Sequence, residues 1–247
     1  MQRELPLRVA DLPADLADAT WRRRAALPPP RLRFHVAGSS SREGFVEIGV
    51  RAANDIWNAL EPHVTTAALD ILDFGCGCGR VAAPMIARVG SLGRLHGADV
   101  DAPTVAWCQR HLDGEWRVIR DNRLPFDDRS LDIAYSVSVF THLSEADQFH
   151  WLAEVHRTLR PGGLFAATTL SPVLAHTRSD LTAEQLQSLQ ENGFVFAAGP
   201  GPFNDDSAFH SAGYLRRAWA PWFELLSHQQ HGLAGYQDLA IFRVTGR

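Results

Sequence analysis

A chain of 247 residues with 45% apolar content can bury one full core and is short for two large domains. A formal net charge of −4 argues against a general nucleic-acid binder, which needs excess basic charge to meet phosphates. No apolar run reaches the roughly 18 to 20 residues of a membrane span or forms an N-terminal signal segment, and three cysteines (Cys76, Cys78, Cys108) cannot all pair, so the expectation is a soluble cytoplasmic protein with reduced thiols.

Residues 1–30 open with an alanine-rich helical pattern that holds Trp21, Arg22, Arg23 and Arg24 and stops at Pro28-Pro29-Pro30, a boundary. The arginine run reads as a solvated helix face. Phe45, Ile48, Ala52, Ile56 and Leu60 recur at mostly three- to four-residue intervals, the stripe of an amphipathic helix over Glu43 to Leu60 that Pro62 ends. From Leu69 the pattern becomes short apolar strands alternating with helices, the signature of a parallel sheet covered on both faces. Strands are expected at Asp70–Phe74, Arg94–Val100, Glu115–Ile119, Leu131–Val139 and Leu164–Leu170, with helices at Arg80–Val89, Pro103–Leu112 and Glu145–Leu159. Pro103 opens its helix favourably, and Arg160-Pro161-Gly162-Gly163 stops the next one. The last third reads as one helix, Thr182–Glu191, a glycine- and proline-rich loop through Pro202, and two closing strands near Phe223–His228 and Gln237–Val244.

The densest chemical signal is Leu69 to Arg80, LDILDFGCGCGR, an apolar strand turning sharply into a helix. Gly75, Gly77 and Gly79 at alternate positions remove Cβ atoms that would block a ligand and allow the positive φ such a turn requires. The spacing G-x-G-x-G, with Asp73 two positions ahead, departs from the G-x-G-x-x-G of dinucleotide-binding dehydrogenases. Asp99 follows Gly77 by 22 residues at the end of the second strand, where a carboxylate can accept from both ribose hydroxyls. Asp101, two positions before Pro103, reads instead as the cap of the next helix. Cys76 and Cys78 form C-x-C without a second cysteine or histidine pair, which is not zinc spacing, and no metal is expected. Every basic residue is arginine, so a lysine nucleophile or Schiff base is excluded; the bias reads as that of a GC-rich bacterial genome.

DFGCGCG, LHGADVDAPTVAWC, LPFDDRSLDIAYSVSVFTHLS and LRPGG, in that order, resemble the successive motifs of class I S-adenosylmethionine (SAM)-dependent methyltransferases, and span roughly Leu69 to Leu170. The flanks PPPRLRFHVAG and GYQDLAIFR are similar to a bacterial branch of that family acting on small molecules. The resemblance implies an α/β, Rossmann-like doubly wound sheet of seven strands with an antiparallel last hairpin. It divides the single domain into an N-terminal helical cap (1–68), a SAM-binding core (69–170), an acceptor-side insertion (171–222) and closing strands (223–247). It implies SAM as cofactor, S-adenosylhomocysteine as product, and cofactor contacts at Asp73, Gly75, Cys76, Gly77, Gly79, Asp99, Val100 and Ser138. The adenine contact falls to Asp121 or Asn122, because the acidic residue lies three rather than four positions before the leucine of LPF.

His142, after the fourth strand, is a candidate general base or orienting group beside the sulfonium methyl, and His210 is a second candidate from the insertion. Trp107, Trp116 and Trp151 read as core; Trp219 and Trp222 are candidates to line an acceptor pocket. Ser136-Val137-Ser138-Val139-Phe140 replaces the N/D-P-P-Y/F of planar-amine methylases, which argues against a DNA adenine methylase; a small-molecule O-methyltransferase is the preferred reading, with N- or C-methylation of a natural product or sugar as the alternative. A non-catalytic SAM-binding scaffold and an NAD(P)-dependent oxidoreductase are the readings from other classes. No nucleic-acid or membrane partner is expected, and monomer and homodimer both stay open.

Overall fold

The computed structural model describes residues 27–65, 68–177, 181–200 and 205–245. The helical pattern expected before Pro28, with Trp21 to Arg24, lies outside the described residues apart from its last positions. Nine strands are found among the described residues: β1 (Leu69–Phe74), β2 (Gly93–Asp99), β3 (Glu115–Val118), β4 (Leu131–Ser136), β5 (Leu159–Thr169), β6 (Phe194–Ala197), β7 (Ser207–His210), β8 (Phe223–Leu233) and β9 (Gln237–Val244). Seven of them form one sheet in the order β3-β2-β1-β4-β5-β9-β8, and β6 and β7 pair separately. β1 to β5 run parallel, whereas β9 is antiparallel to β5 and β8 antiparallel to β9. The strand order reverses between β1 and β4, so the connections leaving these two strands part at their carboxyl ends and open a crevice there.

β1 is central, and its apolar run reflects burial on both faces. Ile71 enters a cluster with Ala52, Ile56, Met85, Val105 and Trp107, while Leu72 enters the opposite one with Trp151, Leu152, Phe165 and Phe242. The period-two alternation of a strand thus divides one sequence between two cores. The first core joins the sheet to α2 (Arg42–Leu60), α3 (Ala82–Val89) and α4 (Ala102–His111); the second joins it to α5 (Glu145–Thr158). α1 (Pro30–Ala37) precedes them and ends on Gly38 in the left-handed conformation, at φ 65°. Its buried Arg33 donates to the Pro28 and Ser40 carbonyls, tying the helix to the chain on both sides.

The seven-stranded sheet and antiparallel closing hairpin agree with the expectation, and three local readings are corrected. β5 starts at Leu159, before the Pro161-Gly162-Gly163 turn, because Leu131 already pairs with Leu159 and a register shift absorbs the irregularity. The insertion is more than a helix and a loop: after α6 (Pro172–Ala175) and α7 (Ala183–Asn192) come the hairpin β6–β7 and α8 (Ala212–Ala218). Four-residue strands such as FVFA and SAFH carry too little periodicity to be read alone. Leu170, Leu189, Val195 and Phe209 give this insertion an apolar core of its own, which rests on the carboxyl end of β5 through the Leu170–Phe209 bridge. Finally, Trp219 is fully buried against Phe140, Phe165 and Phe242 and lines no pocket. Trp107, Trp116 and Trp151 are core residues as read.

Candidate cofactor and acceptor site

The glycine loop leaves β1 and curls back against the end of β2. The Gly75 and Cys76 amides donate to the Ala98 carbonyl, and the Gly79 amide closes the turn onto Cys76. Gly75, Gly77 and Gly79 have φ of 79°, 50° and 78°, a region L side chains rarely enter. Space adds a second restriction. A Cβ on Gly75 would lie 2.2 Å from Val139 Cγ2, and one on Gly77 2.8 Å from Val36 Cγ2 of α1. The helical cap and the segment after β4 therefore both close onto this loop.

Asp99 ties the loop to β2. Its Oδ2 accepts from the Gly77 amide at 2.7 Å and its Oδ1 from the Asp101 amide at 2.9 Å. Burial pushes its pKa up, while these donors pull it back. Asp101 caps α4 by accepting from the Thr104 amide, the role read for it. Val100, beside Asp99, is 50% exposed. Asp73 is buried at the end of β1, and burial raises its carboxyl pKa to about 7; Asp99 adds to the rise, and Tyr135 and Arg80 oppose it. The three cysteines are free and buried. Burial pushes Cys78 to about 12, and the Cys108 contact followed by burial pushes Cys76 well up, so both stay neutral thiols, suited to packing rather than to metal or nucleophilic chemistry.

Asp121 and Asn122 form a tight turn with φ of 54° and 49°, closed by the Arg123 amide on the Arg120 carbonyl. Both are exposed, and His150 Nε2 donates to the Asn122 carbonyl at 2.7 Å. Ile119 donates to the Asp99 carbonyl, which fixes this turn beside the carboxyl end of β2. A carboxylate, an apolar surface and a polar turn thus converge over β2, beside the glycine loop. That arrangement fits the ribose, adenine and methionine portions of SAM.

Ser138, after β4, has a φ of 61°, a costly state for a serine. It is held by its amide on Thr168 Oγ1 at 2.8 Å and by contacts of its hydroxyl with the Gln237 side-chain amide, 2.9 Å from Nε2. His142 lies in a short turn of 3₁₀ helix, half-buried, and its Nδ1 donates to the Asp206 carbonyl at 2.7 Å. In the neutral ring this leaves Nε2 as an acceptor.

His210 reads in the sequence as a second candidate base from the insertion or equally as a cap of the helix near Tyr214. It is wholly buried, and Ser211 caps α8 instead. Its Nε2 donates to Gln148 Oε1 at 3.0 Å, and Gln148 in turn donates to the Phe140 and Leu143 carbonyls. Burial lowers its pKa to about 3, so the ring is neutral at physiological pH. Thr168, Gln237 and Gln148 were not singled out in the sequence; the only trace of any of them was GYQDL, which carried Gln237 as part of a motif without a role.

Residues 71–163 match the family described as Methyltransferase domain. A Mycolicibacterium smegmatis protein named "Probable S-adenosylmethionine-dependent methyltransferase" is 34% identical over 60% of this chain and 58% of its own length. The Sinorhizobium fredii ubiquinone biosynthesis O-methyltransferase is 30% identical over 43% of each. The chain spans less than 60% of the length of these curated relatives. Among solved structures, a SAM-dependent methyltransferase from Methanosarcina mazei superposes with a TM-score of 0.58 at 16% identity, covering 76% of this chain and 98% of that one, a likeness of fold. Residues 71–163 thus carry a methyltransferase domain, set in a chain whose strand order and antiparallel closing hairpin are shared with the fold of S-adenosylmethionine-dependent methyltransferases.

Proposed function

We propose that this protein methylates a small-molecule acceptor, at oxygen in preference to nitrogen or carbon. The observation that supports the reading best is the Asp99–Gly77 hydrogen bond, which sets a carboxylate and the glycine loop side by side at the carboxyl ends of β1 and β2. SAM, when bound, supplies a methyl on a positively charged sulfur with a good leaving group. The protein then has mainly to position and to deprotonate. Asp99 anchors the ribose, Asp121 or Asn122 the adenine, and Val100 offers an apolar face to the base. Gly75 to Gly79, with the Cys76 backbone, border the methionine portion, and Asp73 meets its amino group or an ordering water. Ser138 lines the methyl end.

His142 is the general base of this reading. Its Nδ1–H is committed to the Asp206 carbonyl, so Nε2 can take the proton of an acceptor hydroxyl as the methyl moves to oxygen. His210 acts behind it: through Gln148 it holds the Phe140 to Leu143 backbone on which His142 is mounted. The four-part division of the chain gives each part a place, with α1 and α2 as cap and the insertion as acceptor wall.

The test is calorimetry of the full chain with SAM and S-adenosylhomocysteine, followed by transfer of labelled methyl to hydroxyl, amine and carbon acceptors. Both ligands are expected to bind with about −7 to −8 kcal/mol, a low-micromolar Kd. Binding without transfer to any acceptor would favour a scaffold, and binding of NADH in place of SAM would overturn the reading.

A further inference from the structure

The antiparallel hairpin β8–β9 carries a polar cluster that nothing above uses. Asp238 is 1% exposed and pairs across strands with Thr169 at the carboxyl end of β5, one residue from the Gln237 that holds Ser138. Its Oδ1 accepts from the His231 amide at 2.9 Å, and its Oδ2 stands 3.3 Å from His228 Nε2. His228 is less enclosed, with its side chain 16% exposed. The two groups are close without forming a hydrogen bond, and in the neutral ring one imidazole nitrogen is an acceptor. Gln230 reaches the buried Ser171 hydroxyl at 3.4 Å, and Tyr236 at the hairpin turn is 51% exposed.

Two atoms argue against a merely structural contact. Thr169 Oγ1, across the strands from Asp238, and His228 Nε2 are both enclosed without a hydrogen-bond partner. Polar atoms buried unpaired are costly, and two beside a carboxylate point to a ligand that completes them. That ligand must donate to the carboxylate and to an imidazole nitrogen, and both donate to and accept from hydroxyls and an amide. Adjacent hydroxyl groups do all of this, whereas an amine or a single alcohol does not. The exposed Tyr236 ring adds an apolar surface for a C–H face.

We propose that His228, Asp238, Thr169 and Gln230 form a subsite for a polyhydroxylated, sugar-like part of the acceptor, separate from the atom that is methylated. The proposal rests on the methyl-transfer reading and deepens it. The subsite stands at the β5–β9–β8 end of the sheet edge, across Ser138 from the cofactor loop, so an acceptor held there approaches from the side opposite the ribose.

Protein saturated with S-adenosylhomocysteine is titrated with the methyl glycosides of glucose, galactose, mannose and rhamnose, with cyclohexanol and phenol as comparisons, followed by saturation-transfer NMR. At least one glycoside is expected to bind in preference to both comparisons. His228→Ala and Asp238→Asn should each weaken it at least tenfold while S-adenosylhomocysteine binds as in the wild type, which also reports that the variant is folded. His228→Ala carries the test alone if the buried Asp238 variant does not fold. No glycoside binding to the loaded protein, equal binding of cyclohexanol or phenol, or full binding by His228→Ala would each overturn the subsite. Failure of the wild type to bind SAM or its product would instead overturn the methyl-transfer reading.

Discussion

The β1–β2 half of the sheet edge and the β5–β9–β8 half are built on different principles. In the first, the ligand surface is backbone: three glycines in positive φ, amides facing the end of β2, and a carboxylate that ties the turn together. In the second, the surface is side chain, assembled from pieces far apart in the chain. Ser138 meets Gln237 across 99 positions, His142 meets Asp206 across 64 and Gln148 meets His210 across 62. A backbone site tolerates almost no change of residue and holds the part of a reaction that stays constant. A side-chain site can be rebuilt around a new acceptor without disturbing it.

The largest effect tests the backbone half. Gly77→Val places a branched side chain at a φ of 50°, against Val36 of α1, and should abolish SAM binding by calorimetry. Normal affinity in that variant would show that the loop is not the cofactor cradle.

His142→Ala tests the other half by affecting chemistry alone. Turnover should fall roughly 10²- to 10⁴-fold with SAM affinity nearly preserved. If His142→Ala turns over normally, proximity carries the reaction and the second half has only a binding role.

Asp99→Ala joins the two effects, since Asp99 shapes the loop and is assigned the ribose. Loss of two charge-assisted hydrogen bonds at about 1.5 to 3 kcal/mol each predicts at least tenfold weaker binding of both SAM and its product. Unchanged affinity in the folded variant would remove the ribose assignment.

The smallest effect is on stability. Asp73 has a folded pKa near 7, above the unfolded value of 3.8, so the native state holds a proton that the unfolded state has released between those pH values. Its contribution is complete below about pH 4 and is lost as pH rises through 7. The melting temperature should therefore decline over that window, and Asp73→Asn should flatten the decline. An equally steep decline in the variant would place the titrating group elsewhere.

The parallel strands, the closing hairpin and the glycine turn were legible because the information is local. A parallel central strand must be apolar on both faces, a turn with three positive φ angles needs glycine, and a carboxylate at the next strand end lies about one βαβ unit away. The same locality let Asp101 be read as a cap, whereas Asp99, read as a ribose anchor, is seen to tie the loop only in the structure. The insertion was hidden because its strands are four residues long and are stabilised by a partner ten to sixteen residues away, not by their own pattern. Trp219 illustrates the limit: an aromatic in a decorated region can face a pocket or a core, and only its packing on Phe140, Phe165 and Phe242 decided for the core. His210 was visible as a histidine, but whether it meets solvent or Gln148 depends on how the insertion folds back over β5. The sequence by itself therefore determined the backbone-built glycine turn between β1 and β2. Tertiary structure alone decided the β5–β9–β8 end, because side chains that converge from distant segments leave no periodicity or spacing to read.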